Sequence, residues 1–129
     1  MIEPLPPTGL DIEVTNDAGR CSLLLRGELD IASVPSLEAA VSRLCTEQTS
    51  AITLDLSRLL FIDSTGLAAI VLAGKLCEKH RYDFRIVQGP SAVQRLFELT
   101  GLIDVLPFVE DENAARTQAA TSPAGRESS

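Results

Sequence analysis

Residues 52–76 read ITLDLSRLLFIDSTGLAAIVLAGKL, and a change of period inside them sets the fold. Ile52, Leu54 and Leu56 alternate with Thr53, Asp55 and Ser57, the period of two that puts one face of a strand on a core. A second apolar burst, Leu59-Leu60-Phe61-Ile62, runs directly into Asp63-Ser64-Thr65-Gly66. The period then becomes helical, with Leu67, Ile70, Val71 and Gly74 at i, i+3, i+4 and i+7 and Ala68, Ala69, Leu72 and Ala73 on other faces. A helix this apolar is expected to be mostly buried. Its first turn is fit to meet water, because it carries an acid, two hydroxyls and a glycine.

Asp63 or Ser64 is a suitable N-cap, since a short oxygen side chain accepts from the free N–H groups of a first turn. Gly66 is expected to leave the backbone uncovered, so that another molecule can approach closely. A helix N-terminus favours negative charge through its unpaired N–H groups and its dipole. A phosphate on Ser64 or Thr65 would therefore be tolerated by this helix. Read alone, Asp-Ser-Thr-Gly is better explained as only a cap and a turn, because such residues begin most helices.

Outward from this stretch, the chain reads as β-β-α-β-α-β-α-(β). Residues 1–9, MIEPLPPTG, are an irregular lead-in with three prolines and a glycine. Leu10 to Val14 alternates as a strand, and Asn16-Asp17-Ala18-Gly19 turns it into a second strand, Cys21 to Arg26. Gly27-Glu28-Leu29-Asp30 reads as a polar loop. Ser33 offers a helix cap and Pro35 suits a first turn, with Leu37, Ala40, Val41 and Leu44 at helical spacing. A polar stretch, Thr46 to Ser50, leads to the central strand. Beyond the central helix, Glu78 to Asp83 reads as a charged connection and Phe84 to Val87 as a short strand. Val93, Leu96 and Phe97 mark a last helix that Gly101 stops after Thr100. The segment from Ile103 to Val109 looks strand-like around Val105-Leu106. Residues 110–129 hold almost no large apolar side chain and read as a largely disordered tail. The domain is expected over residues 10–109. Strands alternating with helices imply an α/β fold with a partly parallel sheet.

The 129 residues include 11 basic and 18 acidic side chains, a formal charge of −7. That balance argues against nucleic acid or an anionic membrane surface as partner. No apolar run is long enough to span a bilayer, and the N-terminus lacks a basic region followed by an apolar core. The expected location is the cytoplasm. Cys21, Cys45 and Cys77 fit neither a zinc pattern nor a redox pair and read as small buried thiols. No GxGxxG, Walker or GxSxG motif occurs. A serine nucleophile at Ser64 would need a base, and His80 and Lys75 lie at least two helical turns away. Glu28 with Asp30 could form an acid pair or half a metal site, but no further ligand is evident.

Three segments in this order resemble the anti-sigma-factor antagonists, the single-domain members of the STAS family. They are Gly27-Glu28-Leu29-Asp30, then Phe61-Ile62-Asp63-Ser64-Thr65-Gly66-Leu67, then Val93 to Leu102. The resemblance covers roughly residues 10–109, the length of one ordinary domain. It implies a mixed four- to five-stranded sheet with helices mainly on one face. It implies no enzyme and no cofactor. The protein would be a partner-switching regulator of stress-responsive transcription, whose unphosphorylated form binds an anti-sigma factor with serine kinase activity and frees the sigma factor. Phosphorylation would fall on Ser64, with Thr65 a minor alternative, and a PP2C-type phosphatase would reverse it. The implied partner surface is Glu28, Asp30, Asp63, Ser64, Thr65, Gly66 and Leu67. Ala68 stands where many members of the family have glycine. A weak homodimer is compatible with the same family. Two rival readings are a STAS subunit of a membrane transporter complex and a small enzyme using Ser64 as nucleophile.

Overall fold

The computed structural model describes residues 9–111, and the expected lead-in (1–9) and tail (110–129) lie almost wholly outside that range. Five strands form one sheet in the order of the chain: β1 (Leu10–Asp17), β2 (Arg20–Leu29), β3 (Ala51–Ile62), β4 (Asp83–Val87) and β5 (Phe108–Val109). The pair β1–β2 is antiparallel and every later pair is parallel. Three helices make the connections: α1 (Val34–Leu44), α2 (Ser64–His80) and α3 (Ser91–Leu99). The α/β class and the mixed sheet agree with the reading of the sequence.

The hairpin closes through Ala18 and Gly19, at φ 54° and 92°. Two successive positive φ values are the two-residue turn that matches strand twist. Asn16 Oδ1 accepts from Gly19 N at 2.9 Å and fixes the turn.

One set of alternating positions makes the core. Leu23, Leu25, Ile52, Leu54, Leu56 and Ile86 are fully buried beneath Leu37 and Val41 of α1, Ile70 of α2, and Val93 and Phe97 of α3. The opposite set is mostly polar, apart from Leu24, Ala51 and the buried pair Val87 and Val109, and there Arg26 bridges Asp11 at 2.9 Å and Glu13 at 2.7 Å. Phe97 meets Phe108 edge-on, with ring centroids 4.9 Å apart, which packs α3 against the β5 end of the sheet.

Where β2 and β3 pair, the register slips twice. Leu24 faces Asp55, Arg26 faces Arg58, and Glu28 faces Phe61, so six steps along β3 match four along β2. Such bulges re-aim side chains. Inward positions after Leu56 become Leu59 and Ile62, while Leu60 and Phe61 are thrown outward at 74% and 48% exposure.

Several expected boundaries move. The segment Gly27–Leu29 is strand, not loop, because parallel pairing with Leu59–Ile62 continues to the end of β3. Helix α2 runs through Glu78 and Lys79 to His80, and Arg81, left-handed at φ 65°, ends it. Lys79 and His80 suit a helix C-terminus because its dipole favours cations. Only one side of α2 is buried, along Gly66, Leu67, Ala69, Ile70, Ala73 and Cys77, while Leu72 is exposed. The last strand is Phe108–Val109. Val105 and Leu106 instead follow a single 3-10 turn, Leu102–Asp104. Cys21 and Cys77 are buried, and Cys45 is half-buried. Burial pushes the Cys77 thiol up to about 12.

Candidate functional site

Because β2 and β3 are parallel, the loops leaving them emerge at the same end of the sheet. One loop, Asp30 to Ser33, enters α1. The other, Asp63 to Gly66, enters α2. Of the candidate residues, Asp30 lies in the first loop and Asp63, Ser64, Thr65 and Gly66 in the second, with Glu28 at the end of β2 and Leu67 in the first turn of α2, and the fold brings the two loops together. Leu29 pairs with Ile62, and Asp63 N donates to Leu29 O at 3.2 Å.

At the second junction the N-cap is Asp63, not Ser64. Its backbone is extended, at φ −113° and ψ −175°, and Oδ1 accepts from Gly66 N at 2.9 Å. Its carbonyl accepts from Leu67 N at 2.9 Å, the first backbone bond of the helix. The N–H groups of Ser64 and Thr65 lie ahead of that bond and face the space before the helix. Ser64 is exposed and Thr65 half-buried. The arrangement can accept a phosphate on Ser64 without displacing a packed group, and the helix end favours the added charge.

Gly66 plays a different part from the expected open backbone. It is buried, and a Cβ there would lie 2.6 Å from Leu29 O and 2.9 Å from both Ile62 Cγ1 and Leu29 Cγ. The close approach is made by the chain's own β2. Leu67 is likewise buried, at 4% exposure. These two residues shape the junction from beneath and present no surface.

At the first junction the same device recurs. Asp30 Oδ1 accepts from Ser33 N and Ala32 N, both at 3.1 Å. Ser33 sits at the N-cap position of α1 but does not cap it. Its hydroxyl is fully buried, donates to Glu28 O at 2.9 Å and accepts from Asp30 N at 3.0 Å. Glu28 is exposed on the strand beside Phe61, and its carboxylate lies near Gly9 at the start of β1.

His80, the only histidine, stacks on Tyr82 with ring centroids 5.1 Å apart. It ends the helix that Ser64 begins, about 24 Å away at 1.5 Å per residue, far beyond the reach of a general base.

Sequence reasoning missed two features of this edge. One is the Ser33 clasp, which the matching pattern Asp-x-x-Ser and Asp-x-x-Gly could have suggested. The other is the outward Leu60 and Phe61 together with Ile31, which is 73% exposed. No alternation in the sequence marks the bulges that turn the first two out.

Comparison with known proteins adds the family. An anti-sigma-B factor antagonist of Staphylococcus aureus is 32% identical over 97 residues, covering 75% of this chain and 90% of the relative. The crystal structure of an anti-sigma factor antagonist from Mycobacterium paratuberculosis superposes with a TM-score of 0.77 at 26% identity, covering 88% of this chain and 97% of that one. The phosphorylated form of the Bacillus cell fate determinant SpoIIAA shares the fold, with a TM-score of 0.64 at 20% identity over 84% of this chain and 97% of that one. The STAS domain description fits residues 10–115, and the chain belongs to the STAS family.

Proposed function

We propose that this chain is an anti-sigma-factor antagonist switched by phosphorylation at Ser64. The unphosphorylated form binds an anti-sigma factor that is itself a serine kinase, and the sigma factor is released. Phosphorylation of Ser64 ends the binding, and a PP2C-type phosphatase restores it. Thr65 is at most a minor acceptor. The contact surface is the edge carrying Glu28, Asp30, Asp63, Ser64 and Thr65, with Gly66 and Leu67 supporting it from below. The working compartment is the cytoplasm. The domain boundaries that go with this reading are residues 10–109.

The observation that carries the reading is Ser64 itself. It is an exposed hydroxyl on the first residue of a helix, held in place by an aspartate cap, in a chain whose relatives bear the antagonist name. A phosphoserine adds about −1.5 to −2 charge at neutral pH. At a helix N-terminus that charge favours the fold, so its effect falls on the partner.

The test is a pull-down with the wild type and with Ser64→Glu, followed by phosphopeptide mapping after incubation with the captured kinase and ATP. The expected result is one kinase-like anti-sigma factor held by the wild type and lost by the variant, with phosphate on Ser64. Phosphate on Thr65 with Ser64 bare would overturn the site assignment. Shortening the chain to residues 1–111 should leave melting temperature and partner affinity unchanged. A drop of several degrees would move the domain boundary.

A further inference from the structure

On α3 one buried polar side chain has only half of its hydrogen bonding satisfied. Gln94 is 8% exposed, and its Oε1 accepts from Gly89 N at 2.8 Å. A backbone N–H can only donate, so that bond fixes which end of the carboxamide is oxygen. The other end, Nε2, has no acceptor among the described residues. Gln94 lines a cleft of about 560 Å³ together with Ser91, Ala92 and Arg95. The same cleft is the entrance to α3. The N-cap there is Pro90, which offers no side-chain acceptor, and Val93 N and Gln94 N both donate to Pro90 O at 2.9 Å. The N–H groups of Ser91 and Ala92 come before those bonds and have no partner within the helix. Ser91 adds an exposed hydroxyl. Arg95, one turn on, adds an exposed guanidinium that makes no ion pair among the described residues. The entrance to α2 is different, because the Asp63 carboxylate already accepts there.

We propose that the entrance to α3 binds a tetrahedral oxyanion, either free phosphate or the end of a phosphate monoester, held by Ser91 N, Ala92 N, Gln94 Nε2 and Arg95. The nitrogens left unused there are all donors, because Oε1 is spent on Gly89. Unpaired N–H groups and the helix dipole both favour negative charge at this end. A guanidinium pairs readily with phosphate oxygens. Four separate donors suit an ion with three free oxygens better than a carboxylate with two. Glu98 also lines the cleft, and its charge opposes an anion. It stands seven residues beyond Ser91 on the helix, about 10 Å at 1.5 Å per residue, which is about a Debye length. The site lies on a different helix from Ser64, and the proposal does not rest on the antagonist reading.

The experiment titrates the full chain with inorganic phosphate at constant ionic strength and follows the amide signals by heteronuclear NMR. The signals of Ser91, Ala92 and the Gln94 carboxamide should move along one saturating curve, and those of Ser64 and Thr65 should not follow it. Ser91→Pro removes a backbone donor and a hydroxyl while suiting the first position of a helix. Arg95→Gln removes the charge from an exposed side chain. Each should weaken phosphate binding about tenfold, the usual loss of a charge-assisted hydrogen bond, and leave the melting temperature without phosphate unchanged. Gln94→Glu keeps an acceptor for Gly89 N and replaces the free donor by a negative oxygen, so it should abolish binding. Glycerol phosphate, titrated in the same way, separates the two sources. Tighter binding than inorganic phosphate assigns the site to a monoester, and equal or weaker binding assigns it to free phosphate. Shifts that never saturate, or that sodium chloride reproduces, would overturn the site. So would acetate bound as tightly as phosphate, or wild-type phosphate affinity in both Ser91→Pro and Arg95→Gln.

Discussion

The loops Asp30–Ser33 and Asp63–Gly66 begin with the same residue, end strands that lie side by side, and are locked by the same bond. In each, an aspartate Oδ1 accepts from the N–H three residues on, at 3.1 Å in the first and 2.9 Å in the second. They differ in where the serine sits. In the first it is the fourth residue, Ser33, fully buried and bonded to Glu28 O and Asp30 N. In the second it is the second residue, Ser64, exposed ahead of the first helical bond. One serine is used up in holding the chain together. The other stands free, and the fold does not depend on it. A modifiable residue has to be of the second kind, because adding a phosphate to the first would unpair buried groups.

The sharpest way to break the comparison is at the point where the two loops touch. Gly66→Ala places a Cβ 2.6 Å from Leu29 O, a backbone atom of a buried strand that cannot swing aside. The expected cost is about 3 kcal/mol, the upper range for an overpacked core site. That corresponds to a fall in melting temperature of roughly 15 °C for a domain of this size. A shift under about 3 °C by differential scanning calorimetry would show that the loops are less tightly joined than the geometry states.

Exchanging the two serines for alanine separates their roles. Ser33→Ala removes a donor and an acceptor from a buried site and should cost about 1–3 kcal/mol. Ser64→Ala should leave stability within about 0.5 kcal/mol, as exposed substitutions usually do. With kinase and ATP the order should invert: if Ser64 is the acceptor as proposed, Ser33→Ala remains a substrate and Ser64→Ala does not. Urea melts and a phosphorylation assay on both variants decide the matter. Equal stability losses would remove the distinction between the loops.

Asp63→Ala and Asp30→Ala probe the device that the loops share. Each should cost about 1 kcal/mol, Asp63→Ala through loss of a helix N-cap and Asp30→Ala through loss of the acceptor for two N–H groups of its loop. The two losses should agree within a factor of two if the bonds are equivalent. A much larger loss at Asp63 would show that capping α2 matters more to the core than closing the first loop.

Much of this is legible in the sequence. The junction from Ile62 into Ser64 is a change of period from two to helical spacing, and such changes survive tertiary context because burial enforces them. The hairpin, α1, α3 and the stop at Gly101 follow from equally local chemistry. What could not be read depends on contacts between strands. Gly27–Leu29 is strand because β3 pairs with it, although its own composition suggests a loop. Leu60 and Phe61 look like core residues in sequence and are exposed because the register slips. Gly66 reads as an open approach for a partner, yet the approach belongs to Leu29. In the site, the position of Ser64 was legible and its apolar surroundings were not.

A small expected change in stability should accompany a large change in binding. Ser64→Asp puts a negative charge on the first residue of α2, ahead of the first intrahelical bond. Interaction with the helix dipole should leave the melting midpoint unchanged or raise the stability by about 0.3–1 kcal/mol. Binding to the anti-sigma factor should nonetheless weaken, by less than true phosphorylation achieves, because aspartate carries one charge and lacks the phosphate oxygens. Ser64→Ala should bind as the unmodified protein does, since it gives up at most one neutral hydrogen bond worth about 0.5–1.5 kcal/mol. It should also stay bound when the kinase is given ATP. Thermal unfolding and titration calorimetry on the same samples separate charge from fold. If Ser64→Asp loses binding only together with a large fall in melting temperature, the second loop is not independent of the fold. The contrast with the buried Ser33 would then be wrong, and the switch would work by local unfolding.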